Sequence, residues 1–145
     1  MNQTVENYGY SGTLSPQLFA FARRQFVNAT IYKGRQRRRE GRFPMMLPVI
    51  GVAIDDLDHP VGEPFDMITR DVGSKSVGLI HENPMGHQRI AIHMVVAGAD
   101  VDVSVALMWR GPLGPFYGSG GVYLDRLDRF PCPLDCGAIK WPESF

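Results

Sequence analysis

Between Val101 and Trp109 the chain alternates without a break. Val101, Val103, Val105, Leu107 and Trp109 fall on one face, and Asp102, Ser104, Ala106 and Met108 on the other. A period of two is that of a β-strand, so this segment predicts a half-buried strand with its valine face inward. Such a strand has unpaired edges and needs partners. Further strand candidates run over 46–54, 65–70, 77–81, 89–96 and 116–124. Turn chemistry separates them: Asp55-Asp56-Leu57-Asp58-His59-Pro60-Val61-Gly62, Glu82-Asn83-Pro84-Met85-Gly86, Ala97-Gly98-Ala99-Asp100 and Gly111-Pro112-Leu113-Gly114-Pro115. Six strands with short connections read as a meander that closes on itself. The expected fold is mainly β, a small antiparallel six-stranded β-barrel. Sixteen glycines and eleven prolines in 145 residues favour this turn-rich architecture over a bundle of long helices.

The length is that of one domain. Residues 1–14 read as a polar tail. Ser15-Pro16 is a cap followed by proline at the first helical position. Leu18, Phe19, Ala22 and Phe26 recur at helical spacing, which predicts a short amphipathic helix over 16–28. After residue 128, Pro131, Pro133 and Pro142 forbid one regular helix. Phe130, Leu134, Ile139, Trp141 and Phe145 give this last segment the means to pack as a strap against the barrel. The expected organisation is a tail, helix and start of a basic arm over 1–36, the barrel over 37–128, and the strap over 129–145.

Fifteen Lys and Arg balance fifteen Asp and Glu, for a net charge of zero. As a total, this argues against a broad polyanion-binding surface. The total conceals two opposed blocks. From Arg23 to Arg42 there are eight basic residues and one acidic, a local charge of +7 that the rest of the chain offsets. Gly34 and Gly41 make the core of that block an arm and not a continuous helix. A guanidinium is a planar fork that binds phosphate oxygens in pairs and stacks on aromatic planes. Several arginines beside a barrel suit a compact anionic aromatic ligand such as a nucleotide, though the same run also reads as a solvated linker. A second element, Thr69-Arg70-Asp71-Val72-Gly73-Ser74-Lys75-Ser76, reads as a tight connection between two strands that offers a carboxylate and backbone N–H groups. Its Gly-Ser-Lys-Ser lacks the spacing of a triphosphate-binding loop.

In this order, and with a barrel after them, the two elements resemble the PilZ domain, a bacterial receptor domain for cyclic di-GMP. That family's pattern is Arg-x-x-x-Arg before the first strand, then Asp/Asn-x-Ser-x-x-Gly between the second and third. Arg38-Arg39-Glu40-Gly41-Arg42 matches the first part, and Asp71-Val72-Gly73-Ser74-Lys75-Ser76 occupies the second. Val77-Gly78-Leu79-Ile80-His81, Pro60-Val61-Gly62-Glu63-Pro64-Phe65, Trp109 and Phe116-Tyr117-Gly118-Ser119-Gly120-Gly121 add to the likeness, which covers about 37–125. The second motif departs from the pattern. The family serine falls at Gly73 and the family glycine at Ser76, so the two have traded places. In one reading Ser74 or Ser76 supplies the hydroxyl and binding survives. In the other, the turn no longer wraps a guanine and the ligand is lost. If position 76 needs a positive φ, its serine costs about 1 kcal/mol. The resemblance implies that Arg38 and Arg42 hold phosphates and stack on guanine, with Arg37 assisting. It implies that Asp71 accepts from a guanine edge or fixes an arginine, and that Gly73 and Ser76 shape the turn. The output it implies is a ligand-induced conformational change in a receptor or adaptor.

Other chemistries lack support in the residues. His81, His87 and His93 are six apart, too far for one metal, and no His-Glu-x-x-His is present. Cys132 and Cys136 have no second ligand pair. There is no Gly-x-Ser-x-Gly elbow. No enzyme, metal or cofactor is therefore expected, cyclic di-GMP being a regulatory ligand. With no apolar run of membrane-spanning length and no signal peptide, a cytoplasmic protein is expected. Two alternatives stand beside the receptor reading. One is a ligand-free protein-interaction module. The other is single-stranded nucleic-acid binding through the arm, which ranks last because only Tyr32 and Phe43 supply interleaved aromatics.

Overall fold

The computed structural model describes residues 14–31 and 41–131. Its elements are helix α1 (Pro16–Ile31) and strands β1 (Phe43–Pro44), β2 (Pro48–Ala53), β3 (Phe65–Val72), β4 (Ser76–His81), β5 (Arg89–Val96), β6 (Ala99–Leu113) and β7 (Phe116–Arg126). Strands β2 to β7 form an antiparallel sheet in the order β3-β2-β5-β6-β7-β4, and β3 pairs with β4 to close it. The expected six-stranded barrel is therefore present, with one extra strand, but it is not the expected meander: β4 pairs with β7 and β5 with β2, so the consecutive strands β4 and β5 are not neighbours. All six anticipated strands appear, and β6 and β7 run longer than expected.

The extra strand follows from a break in the wall. β1 and β2 both lie along β3: Phe43↔Val72 and Pro44↔Asp71 at one end, Pro48↔Ile68 through Gly51↔Phe65 at the other. Residues 45–47 bulge between them. Thr69 fills the gap. Its N–H donates to Leu47 O (2.9 Å), and its hydroxyl accepts from Leu47 N (2.8 Å) and donates to Met45 O. A wholly buried hydroxyl thus repairs the ladder where the backbone leaves it.

Val49, Met67, Val77, Leu79, Ile90, Ile92, Met94, Val105 and Leu107 fill the barrel. Residues that alternate with them face outward. Two of these, Ile68 and Ile80, are cross-strand partners and make an apolar strip on the outer wall. Helix α1 covers that strip with Leu18, Phe21 and Ala22, joined by Leu14 just ahead of the helix, all buried. Its start is capped as expected: Ser15 Oγ accepts from Leu18 N (3.1 Å). The helix runs to Ile31, one turn beyond the expected end.

Gly111, Pro112 and Leu113 do not form a turn. They continue β6, with Pro112↔Tyr117 and Leu113↔Phe116. Proline is tolerated because β5 pairs with β6 only as far as Ala106, so the missing N–H faces an unpaired edge. The connection shrinks to Gly114-Pro115, with Gly114 at φ 57°. Leu113 and Phe116 then reach over α1 and join its cluster. The other tight hairpin, Ala97-Gly98, has both φ values positive (51° and 82°). This suits a two-residue turn between right-twisted strands. Past β7, Phe130 packs on Val52, Ile54 and Ala91 on the outer wall. The rest of the strap, with Cys132 and Cys136, lies outside the described residues.

His81 is buried inside one end of the barrel. Its Nδ1 donates to Asn83 O (2.6 Å), and Nε2 accepts from the Ser119 hydroxyl (2.9 Å). Burial holds its pKa below the ordinary 6.5, partly opposed by the Asn83 carbonyl. Below pH 6.5 the unfolded chain therefore takes up a proton that the folded barrel refuses. Stability is full above that pH, falls as pH drops through it, and levels off below the folded-state value. The urea midpoint should decline from pH 7.5 to pH 5. In His81→Gln the decline should be shallower by up to about 1.4 kcal/mol per pH unit. An identical pH slope in both proteins would assign the effect to other groups.

Candidate functional site

Pairing of β1 with the far end of β3 carries the residue before β1, Arg42, to Asp71. The Arg42 Nη2 donates to Asp71 Oδ1 at 2.6 Å, and the two side chains are only 10% and 14% exposed. Twenty-nine residues separate them in sequence. A pair so shielded feels less screening by water and salt than an ordinary surface salt bridge. The Arg42 Nε–H is buried and finds no acceptor among the described residues.

Two glycines make room for this arrangement. A Cβ at Gly73 would lie 2.5 Å from Arg42 Cγ, and one at Gly78 would lie 2.6 Å from Asp71 Oδ1. The arginine stem crosses the first glycine and the ion pair sits over the second. Gly73 also donates its N–H to Ser76 O (2.9 Å), closing the turn, and Lys75 O accepts from Tyr123 N (2.9 Å), which ties the turn to β7. Burial raises the pKa of the Tyr123 phenol, while the charges of Arg42 and Asp71 act on it in opposite directions.

Of the anticipated residues, Arg42, Asp71 and Gly73 come together. Ser76 is buried, and its carbonyl closes the turn, whereas Ser74 is exposed. Neither Gly73 nor Ser76 has a positive φ, so the exchange of serine and glycine carries no backbone strain. Arg37 and Arg38 lie outside the described residues.

A further row extends from Asp71 across the wall. The register runs Asp71↔Gly78, Gly78↔Gly120 and Gly120↔Trp109, spanning four strands. At the usual strand spacing this is roughly 14 Å of wall with a bare glycine floor in the middle. The Trp109 ring lies across that floor. A Cβ at Gly120 would come within 2.4 Å of its Nε1, and one at Gly118 within 3.2 Å of its Cη2. The Arg70 guanidinium sits 5.0 Å from the Trp109 ring centroid, and its Nε is 4.0 Å from Asp71 Oδ2. Register shifts around Arg70 and Met108 bring these side chains to the outer face, so Trp109 leaves the inward valine face on which its alternation places it. Motif reading missed Gly78, Gly120 and Arg70 as site residues. The available signal was glycine recurring inside otherwise apolar strands, which marks close approach.

The row presents cationic forks, a carboxylate and an aromatic plane. That equipment suits holding a flat polar anion. Linear spacing also hid a carboxylate partner for one histidine: His93 Nδ1 meets Asp102 Oδ1 across β5 and β6 at 2.7 Å. No group of three metal-ligating side chains converges among the described residues. A cavity of about 350 Å³ opens at the opposite end of the barrel, beside His81, Glu63 and Glu82, away from every anticipated site residue.

The pair should be measurable as a coupling. In a double-mutant cycle of Arg42→Ala and Asp71→Ala, urea unfolding should give an interaction of about 1–3 kcal/mol. Additive losses would mean that the contact contributes nothing to stability. Gly78→Ala should destabilise by about 1–3 kcal/mol, because its methyl meets the carboxylate and not a yielding side-chain end.

No protein-family model matches the sequence, and no curated protein does so. Among solved structures, the chain is similar to the Bacillus subtilis inhibitor of motility (MotI/DgrA), with a TM-score of 0.51 at 10% identity. The match covers 64% of this chain and 45% of that protein, so the chain spans less than half of its neighbour's length. That neighbour is a PilZ-fold protein, and the likeness supports a PilZ-like fold for this barrel. No helix among the described residues is long and apolar enough to cross a membrane.

Proposed function

We propose that this protein is a cyclic di-GMP receptor or adaptor of the PilZ type. One observation carries the reading: Arg42 and Asp71, one from each motif, meet on the outer wall of a PilZ-like barrel. Arg38 and Arg42 grip phosphates and stack on guanine, Arg37 assists, and Asp71 accepts from a guanine edge or fixes an arginine. Gly73 and Ser76 shape the adjoining turn. No bond is made or broken, so the protein is not an enzyme and needs no cofactor. Its output is mechanical, passed to α1 or to a protein partner in the cytoplasm.

A second reading has its own support. Arg42 is already neutralised by Asp71 and largely shielded, as expected of a module that docks a protein and binds no nucleotide.

Calorimetric titration with cyclic di-GMP at about 100 μM separates the two. The receptor reading expects saturable heat, with Arg38→Ala and Arg42→Ala each weakening binding roughly tenfold or more, since each removes a charge-assisted contact. Absence of heat from demonstrably folded protein leaves the interaction module. Steep salt-dependent binding to arbitrary oligonucleotides would replace both with nucleic-acid binding.

A further inference from the structure

Arg42 does not hold its fork out to solvent. Its stem lies across Gly73, one Nη is committed to Asp71, and its Nε–H is buried without an acceptor among the described residues. An arginine in that position is only partly served. The ion pair satisfies one edge of the guanidinium, while the Nε–H is a buried donor with no acceptor among the described residues, a placement that carries a desolvation cost. The posture exists because residue 73 has no side chain. Any Cβ there falls 2.5 Å from Arg42 Cγ, near the root of the side chain, so the whole arginine must swing away. Gly78 acts differently. A Cβ there meets the Asp71 carboxylate and would displace the acceptor itself.

We infer that Gly73 is a positioning residue that holds the site in a closed resting state, with Arg42 laid on Asp71. This rests on the receptor reading above. A ligand phosphate competes with Asp71 for the guanidinium, and binding draws on the fraction of molecules in which Arg42 has been released. The weight of the closed state lowers apparent affinity by that fraction. Destabilising the closed state must then tighten binding. By linkage, bound ligand must loosen the ion pair.

The test is Gly73→Ala in the full chain. Position 73 has no positive φ, so alanine is compatible with the backbone. Affinity for cyclic di-GMP should rise about fivefold or more while the melting temperature falls. A purely structural role would move both downward, so unchanged or weaker binding overturns the inference. NMR of arginine-labelled protein supplies a ligand-independent readout. The Arg42 Nε–H should be slowly exchanging in the native protein and should lose that protection in Gly73→Ala. Protection that persists in the variant overturns the lock. If neither protein binds the dinucleotide, the receptor reading fails, and this signal alone decides whether Gly73 sets the posture of Arg42. Should the variant not fold, the native protein suffices: an Arg42 signal unmoved by saturating ligand overturns the inference.

Discussion

Strand β3 has to satisfy three neighbours at once, and the rest of the molecule follows from how it does so. Along one edge it pairs with β4, which closes the barrel. Along the other it serves β2 over its first half and β1 over its last two residues. The step between β2 and β1 would strand backbone polar groups in a dry wall, at a cost comparable to lost hydrogen bonds. Thr69 takes up that step with one hydroxyl and its own N–H. Because β1 then sits beside Asp71, the chain entering it delivers Arg42 to a carboxylate it could not otherwise reach. Barrel closure and assembly of the site are therefore one problem, solved on a single strand.

The barrel was legible because alternation is a strong signal. It is plainest from Val101 to Leu107, whereas β2 and β4 are buried on both faces and stood out through the turn residues that bound them. What escaped was context. Gly111-Pro112 has the composition of a turn, and only the early end of β5 makes that stretch a permissible edge. The site was legible in part. Asp71 and Arg42 stood out through their resemblance to a known pattern, but the pairing that unites them depends on β1, too short for any periodicity to reveal. Gly78 looked like an ordinary strand residue. Its meaning lies in the atom that a side chain would strike, and that atom belongs to another strand.

Glycine placement also separates the two halves of the outer wall. Where α1 lies, the wall offers Ile68 and Ile80 to an apolar helix face. One register step further along β4 it offers Gly78, beside Gly120 on β7, and the bare backbone accepts an ion pair and an indole ring lying flat. The same strands thus provide a greasy seat for a helix and a shallow polar trough next to it. Helix and trough are immediate neighbours, one row of the sheet apart.

The basic arm joins two pinned points. Its first end is α1, packed on the wall through Leu18, Phe21 and Ala22. Its second is Arg42, held by Asp71. Chain length then limits where its arginines can go. Arg38 is four residues from Arg42 and Arg37 five, so their backbones stay within roughly 14 and 18 Å of that anchor in any conformation. Charges tethered this closely act as though present at millimolar concentration around the trough. Under the receptor reading proposed above, a ligand on the glycine floor meets the second arginine of the motif in an intramolecular event, whose probability is set by the four-residue spacing of Arg38 and Arg42 and not by the protein's abundance.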